Sequence, residues 1–225
     1  IPDGVNSIGE GAFLACSKLS QVALSPKLKV LGGYAFGDCD SLTSITIPKS
    51  LEKTTQAYYL QYIYNYQWGV FIACDNLKNI TFEEGTTKIA NGLFANNDSI
   101  EKVVIPDTVT SIEWNAFYKC SKLKDISFSD GLVSIGDDAF SYDKLIEKVE
   151  IPNTVTSIGS GAFLGCGNLS DVKLSKRLKE LGGYAFGDCD SLTSITIPKS
   201  LEKTTQAYYS QYIYNYQWGV FIACD

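Results

Sequence analysis

The chain has 225 residues, 45% of them hydrophobic, with 19 basic and 25 acidic side chains, a net charge of -6 and no histidine. That length and apolar content suffice to bury a sizeable core, whereas the interspersed charge offers no basic stripe for phosphates, which argues against nucleic acid as a partner. The lack of histidine excludes a Ser-His-Asp or Cys-His catalytic arrangement, and no apolar run approaches the roughly 18 residues of a bilayer-spanning helix, so no membrane insertion is expected in this segment.

Ile1-Pro2 opens the chain, an extended stretch runs to Ile8, and Ala12-Phe13 follows with Cys16 three residues later. This order then recurs. A Phe, usually preceded by Ala and followed three residues on by Cys, stands at Phe13, Phe36, Phe71, Phe94, Phe117, Phe140, Phe163, Phe186 and Phe221. Successive gaps are 23, 35, 23, 23, 23, 23, 23 and 35 residues. A fixed period between about 20 and 50 residues marks a solenoid, in which each unit buries its apolar face against its neighbours.

Within a unit the Leu-x-x-Ile-x-Ile run, as at Leu42, Ile45 and Ile47, predicts a strand with Ile45 and Ile47 inward and Ser44 and Thr46 outward. A Pro follows at Pro2, Pro48, Pro106, Pro152 and Pro198 and ends the strand, because it has no N–H to give a ladder. A second short extended stretch comes next, Val-Thr-Ser-Ile at 109–112 and 155–158. The Ala-Phe pair then turns the chain back through a short helical or irregular turn, with the ring filling the interior.

Between Lys53 and Phe71, and again between Lys203 and Phe221, two units carry an insertion of 12 residues (35 less 23). It is rich in Tyr58, Tyr59, Tyr62, Tyr64, Tyr66 and Trp68, repeated as Tyr208, Tyr209, Tyr212, Tyr214, Tyr216 and Trp218. Aromatic residues alternate with Ile63, Asn65 and Gln67, which favours an extended arm. Tyr and Trp give large, stiff contact area with a polar handle, so these twelve side chains are the candidate ligand-binding residues. Packing of the rings against the solenoid edge, or against the other copy in an oligomer, is the alternative. Residues 31–75 and 181–225 are identical except that Leu60 corresponds to Ser210. Six coils at about 4.8 Å would set the inserts roughly 29 Å apart, a spacing suited to bivalent attachment.

The seven cysteines each follow an anchor Phe by three residues. Stacked coils give them parallel Cβ vectors, which is poor disulfide geometry, and neither Cys-x-x-Cys nor His is present for zinc. A column of buried free thiols is expected, with no disulfide, no metal and no cofactor. Asn97 and Asp143 take the Cys position in two units. Gly37-Asp38-Cys39-Asp40 and its copy at 187–190 bring two carboxylates together, fewer oxygens than a calcium loop supplies. Asn79, Asn97 and Asn168 sit in glycosylation sequons. The outward strand positions form two rows, one through Lys78, Glu101, Lys124 and Glu147 and one through Lys102, Asp125, Lys148 and Asp171. Cross-strand charge pairing is the preferred reading of these rows over a ligand face.

The joint recurrence of Ile-Pro, Ser-Ile-Gly and Ala-Phe-x-x-Cys in register resembles the BspA-like leucine-rich repeat family over the whole chain. The resemblance implies a β-rich α/β solenoid of about nine 23-residue coils, two with aromatic insertions, forming one domain over 1–225. Because the chain starts and stops inside repeats, it is expected to be a fragment of a longer protein. The family resemblance further implies a non-catalytic adhesion or recognition module, extracellular, at the cell surface or secreted. Its partners would be host extracellular-matrix or mucosal glycoproteins, or glycans. A structural spacer and the recognition arm of a larger enzyme are the alternatives, and self-association through the solenoid ends or the inserts is a further expectation.

Overall fold

The structure is a computed structural model that describes residues 1–56 and 68–205. Two rows of very short strands alternate along the chain. The first row comes from the Leu-x-x-Ile-x-Ile segments: β3 (Ser44–Ile47), β5 (Asn79–Phe82), β7 (Lys102–Val104), β9 (Asp125–Ser127), β11 (Lys148–Glu150) and β13 (Asp171–Lys173). The second comes from the Val-Thr-Ser-Ile segments: β1 (Ser7–Ile8), β2 (Val30–Gly32), β4 (Lys53–Thr55), β6 (Lys88–Ile89), β8 (Ser111–Ile112), β10 (Ser134–Ile135), β12 (Ser157–Ile158), β14 (Glu180–Leu181) and β15 (Lys203–Thr204). All pairings are parallel, between one coil and the next, with Ser134 opposite Ser157 and Lys148 opposite Asp171. No helix occurs among the described residues. The α component expected of an α/β class is therefore replaced by turns, because the Ala-Phe segment reverses direction within too few residues to close a helical ladder.

The long unit leaves its mark on both rows. In the first row β3 pairs with β5 across 35 residues, Ser44 opposite Asn79, so the ladder is kept in register past the insertion. The second row is divided there into β1-β2-β4 and β6-β8-β10-β12-β14-β15. In sequence the insertion follows β4. Burial alternates as expected in β3, with Ile45 and Ile47 buried and Ser44 and Thr46 exposed.

Eight anchor rings, from Phe13 to Phe186, run through the interior as a stacked ladder. Neighbouring centroids lie 5.0 Å apart at Phe13–Phe36, 5.6 Å at Phe71–Phe94 and 5.2 Å at Phe117–Phe140. That spacing follows from the strand separation of about 4.8 Å, since one ring is delivered per coil. The turns that carry the rings are themselves laddered: the N–H of Phe94 donates to the carbonyl of Ala116, and that of Phe117 to Ala139. After each anchor the backbone enters the left-handed region, and it does so before each of them except Phe71. Two residues after it, Ala15, Asp38, Ala73, Asn96, Lys119, Tyr142 and Asp188 all have φ between 52° and 64°, and Gly165 has 71°.

Beside the rings runs the cysteine column. Cys39, Cys74, Cys120, Cys166 and Cys189 are buried free thiols. Each donates its S–H to the carbonyl of the anchor Phe one coil earlier, at 3.3 Å for Cys39 to Phe13 and 3.2 Å for Cys120 to Phe94. Burial pushes four of these thiols up, to about 11 for Cys39, to about 12 for Cys74, and upward as well for Cys120 and Cys166. They therefore stay protonated and act as donors rather than nucleophiles near neutral pH. Cys16, in the first coil of the chain, is exposed, and Cys224 lies outside the described residues.

The two replacements in the column behave differently. Asn97 does the thiol's work: its Nδ2 donates to Phe71 O at 2.8 Å, and its Oδ1 accepts from the N–H groups of Ser99 and Ile100. That burial removes Asn97 from consideration as a glycan acceptor, whereas Asn79 and Asn168 are exposed. Asp143 is fully buried; its Oδ1 accepts from Cys120 N–H at 2.7 Å, but Oδ2 has no partner. Desolvation pushes its carboxyl well above the usual carboxylate range. A neutral acid is the form this position stabilises, because burial penalises the charged carboxylate.

Candidate binding surface

The coil offers two faces to solvent, one made by the first-row strands and one by the Ala-Phe turns. On the strand face the pleat places equivalent residues of successive coils side by side, so opposite charges meet. Glu101 lies between Lys78 at 3.8 Å and Lys124 at 3.3 Å, Lys148 meets Asp171 at 3.2 Å, and Lys173 meets Glu150 at 3.6 Å. Lys124 and then Lys78 hold the Glu101 carboxyl below its usual range. These side chains are about half exposed, so each pair contributes little. A groove of about 640 Å³ runs between Lys102, Asp125 and Glu147. It is lined by both signs of charge and by the exposed edge of Leu145.

The turn face has a different chemistry. Trp68 ends the first insertion, and among the twelve candidate aromatics it is the one that falls on described residues. Tyr58, Tyr59, Tyr62, Tyr64, Tyr66, Tyr208, Tyr209, Tyr212, Tyr214, Tyr216 and Trp218 lie outside them. The Trp68 ring is half-buried, 5.0 Å from Trp114 at 51°, and its carbonyl accepts from Asn96 Nδ2 at 2.9 Å. Gly92 makes the seat for it, since a Cβ there would lie 2.1 Å from the indole. Across β4 the Thr54 hydroxyl donates to the Asn91 carbonyl. Both margins of the insertion are thereby fixed to the following coil. Tyr34, Ile72, Leu14 and Trp68 form a small apolar cluster of their own on this side.

Next to Asn96 the surface opens into a cleft of about 680 Å³ between Asp98, Tyr118, Lys119, Tyr142 and Lys144. The rings of Tyr118 and Tyr142 meet edge to face, 5.9 Å apart at 88°. The Lys119 ammonium lies over both, 5.2 Å from one centroid and 5.6 Å from the other. Burial, and then the charge of Asp138, raises the Tyr118 phenol; burial is also the first cause for Tyr142. Asp98 accepts from the Ser121 hydroxyl at 2.6 Å. Reading outward strand positions alone misses this cleft. The signal was present, however: each of the four Tyr residues outside the insertions, Tyr34, Tyr118, Tyr142 and Tyr184, stands within two residues of an anchor Phe.

Chemistry beyond binding finds little material here. Among the described residues no group of three or more His, Cys, Asp or Glu side chains could hold a metal, and the Asp38–Asp40 pair supplies only two carboxylates. No helix among them is long and apolar enough to cross a membrane.

The likeness to known proteins follows the repeat. A leucine-rich repeat protein from Bacteroides ovatus shares the fold at 22% identity over 92% of this chain and 68% of that one, with a TM-score of 0.57. A leucine-rich repeat protein of T. pallidum matches at 27% identity over 83% of this chain and 70% of its own, with a TM-score of 0.51. A leucine-rich cell surface protein from Faecalibacterium prausnitzii matches at 24% identity over 94% of this chain and 60% of that one, with a TM-score of 0.50. Among curated proteins none matches the chain at a significant level. The BspA type leucine rich repeat region, in six copies, matches residues 1–67, 58–147 and 133–217, and with nearly the whole length so covered the chain belongs to that family.

Proposed function

We propose that the chain is a non-catalytic recognition module of a cell-surface or secreted protein, binding host matrix proteins, mucosal glycoproteins or their glycans through the aromatic insertions. Membership of the repeat family supports a binding role, and one fold relative is described as a cell surface protein. The observation that carries the proposal is the anchoring of Trp68. Its ring packs on Trp114 and its carbonyl is held by Asn96, which supports an insertion whose C-terminal margin is seated on the turn side. The paired charges of the strand face are left as solvated ladder.

The test compares the chain with a variant in which Tyr62, Tyr64, Tyr66, Tyr212, Tyr214 and Tyr216 become Ser. Trp68 and Trp218 are retained because Trp68 has a packing role. Both proteins are screened against matrix proteins and a glycan panel, with circular dichroism as the control of fold. Loss of binding in the variant is the expected result. Equal binding by both would move the contact elsewhere on the solenoid, and no binding by either would favour a spacer that holds another domain away from the cell.

A further inference from the structure

The cleft beside Tyr118 is independent of the insertions, since no residue lining it lies within them. Three features distinguish it from a chance hollow. First, its side chains are set by backbone that the fold holds rigidly. Lys119 and Tyr142 occupy equivalent left-handed positions in adjacent coils, with φ of 55° and 64°. Their N–H groups donate to Ser141 O at 2.8 Å and Leu164 O at 2.6 Å. Bulky residues are uncommon in that region and mark places worth a functional question. Second, Gly165 in the following coil leaves space for the ring, because a Cβ there would stand 2.6 Å from Tyr142 Cδ1. Third, Lys119 is half-buried with its ammonium over two aromatic rings, whereas Lys124 and Lys148 on the strand face meet carboxylates.

The polar groups of the cleft differ in sign from end to end. Asn96 and Asp98 come from the coil of Phe94, Lys119 from the next coil and the exposed Lys144 from the one after it. A matching ligand carries a negative charge at one end, hydrogen-bond donors at the other, and a flat apolar face between them for the phenol rings. Phosphate has the charge but neither the face nor neutral donors, and Asp98 would repel it. A glutamate or aspartate side chain of a peptide has the charge but no hydroxyl for Asp98. A pyranose bearing a carboxylate has all three. The volume of about 680 Å³ falls within the range of about 300–1,000 Å³ usual for small-ligand clefts.

We infer that this cleft is a subsite for a carboxylated sugar, of the hexuronic or sialic acid class, within an acidic glycan. The carboxylate faces Lys119 and Lys144, the C–H face of the ring lies against the Tyr118–Tyr142 corner, and ring hydroxyls donate to Asp98. The phenol O–H groups add donors for the carboxylate or the ring oxygen.

The repeat itself supplies substitutions that leave the turn intact. Asn96 stands at the position of Lys119, and Ala15 and Ala73 at that of Tyr142, all left-handed. Lys119→Asn and Tyr142→Ala are therefore expected to keep the circular dichroism spectrum and melting temperature of the parent. Saturation-transfer NMR on the 225-residue chain would use methyl glucuronide and the methyl glycoside of N-acetylneuraminic acid, with methyl glucoside as the neutral control. Transfer to ring protons of at least one acid, and none to the glucoside, is expected. The affinity should fall about tenfold or more in Lys119→Asn, the loss typical of one charge-assisted hydrogen bond, and fall also in Tyr142→Ala. Each of the following overturns the subsite: no transfer to either acid, undiminished binding in both variants, loss in Lys119→Asn with none in Tyr142→Ala, or Lys119-dependent binding of inorganic phosphate or a glutamate peptide while neither sugar acid binds. The insertion variant with Ser in place of the tyrosines keeps this cleft, so failure of one proposal is readable apart from failure of the other.

Discussion

The strand face and the turn face are made by the same coils, yet they carry different chemistry. On the strand face successive residues alternate in and out, and each outward side chain has its equivalent in the next coil as a lateral neighbour. A charge placed there meets another charge at once, and Glu101 with Lys78 and Lys124 is the outcome. On the turn face, backbone bonds between coils such as Phe117 N–H to Ala139 O ladder the main chain, and buried side chains such as the Cys120 thiol serve the anchor Phe carbonyls. Of the left-handed residues beside the Phe, Lys119 and Tyr142 are partly exposed, whereas Tyr34, Asn96, Asn115 and Asp138 are buried. Lys119, Tyr142 and Ala73 are accepted at one repeat position. Periodicity thus enforces self-neutralisation on one face and permits local invention on the other.

Both faces hang on one interior, and the largest effect tests that. Phe117 is fully buried between the rings of Phe94 and Phe140. Phe117→Ala should cost about 3–5 kcal/mol, the usual loss for a truncated core aromatic. Urea unfolding followed by tryptophan fluorescence, for the turn face, and by far-ultraviolet circular dichroism, for the strands, should shift together. Separate transitions would show that the two faces are not one cooperative unit.

The next effect concerns Asp143, at the break in the thiol column between Cys120 and Cys166. Burial raises its carboxyl above the ordinary value of 3.8, and both flanking thiols are raised by burial as well. With the folded value above the unfolded one, the native state binds more protons than the unfolded chain over the interval between them. The contribution is complete below the unfolded value, and stability falls as pH rises from there through the folded value. Asp143→Asn keeps the acceptor for Cys120 N–H and supplies the donor that Asn97 gives to Phe71 O. It should stabilise the chain near neutrality by about 1–3 kcal/mol, the cost of an unsatisfied buried group. Denaturant midpoints across a pH series should show the downward slope in the parent and a flatter line in the variant.

Much of this architecture is legible from residue order. The period, the inward Ile45 and Ile47, the Phe ladder and the thiol column each follow from one repeated physical requirement. The cleft is legible only in part, through the tyrosines placed beside anchor Phe residues, because a left-handed φ filled by Ala15, Asp38, Lys119 or Tyr142 has no residue signature of its own. Ser44–Ile47 forms β3 against β5, paired residue by residue from Ser44 opposite Asn79 to Ile47 opposite Phe82. The eleven candidate aromatics outside the described residues belong to the proposed binding site.

A smaller effect sharpens the turn side. Trp114 is 37% exposed, and its main structural service is the contact with Trp68 at 5.0 Å. Trp114→Ala should cost about 0.5–1.5 kcal/mol, the range for one aromatic pair. It should also change the emission of Trp68 while leaving Trp218 as the remaining indole. An unchanged spectrum beyond loss of one fluorophore would mean that Trp68 is held by its carbonyl bond to Asn96 alone.

The smallest effect belongs to the strand face, and its pH sign is opposite to that of Asp143. Lys124 and Lys78 lower the Glu101 carboxyl below its usual range, so its contribution is present above the unfolded glutamate value and is lost as pH falls through the folded one. Glu101→Gln should therefore lower the urea midpoint slightly at neutral pH, have no effect once the parent carboxyl is protonated, and have none at high salt, where exposed pairs are screened. Lys124→Met in the Glu101→Gln background should add nothing further. A large loss in Glu101→Gln, persisting at high salt, would mean that the charged row holds the coils together. The strand face would then be a structural seam, and the contrast with the turn face would lie in load rather than in chemistry.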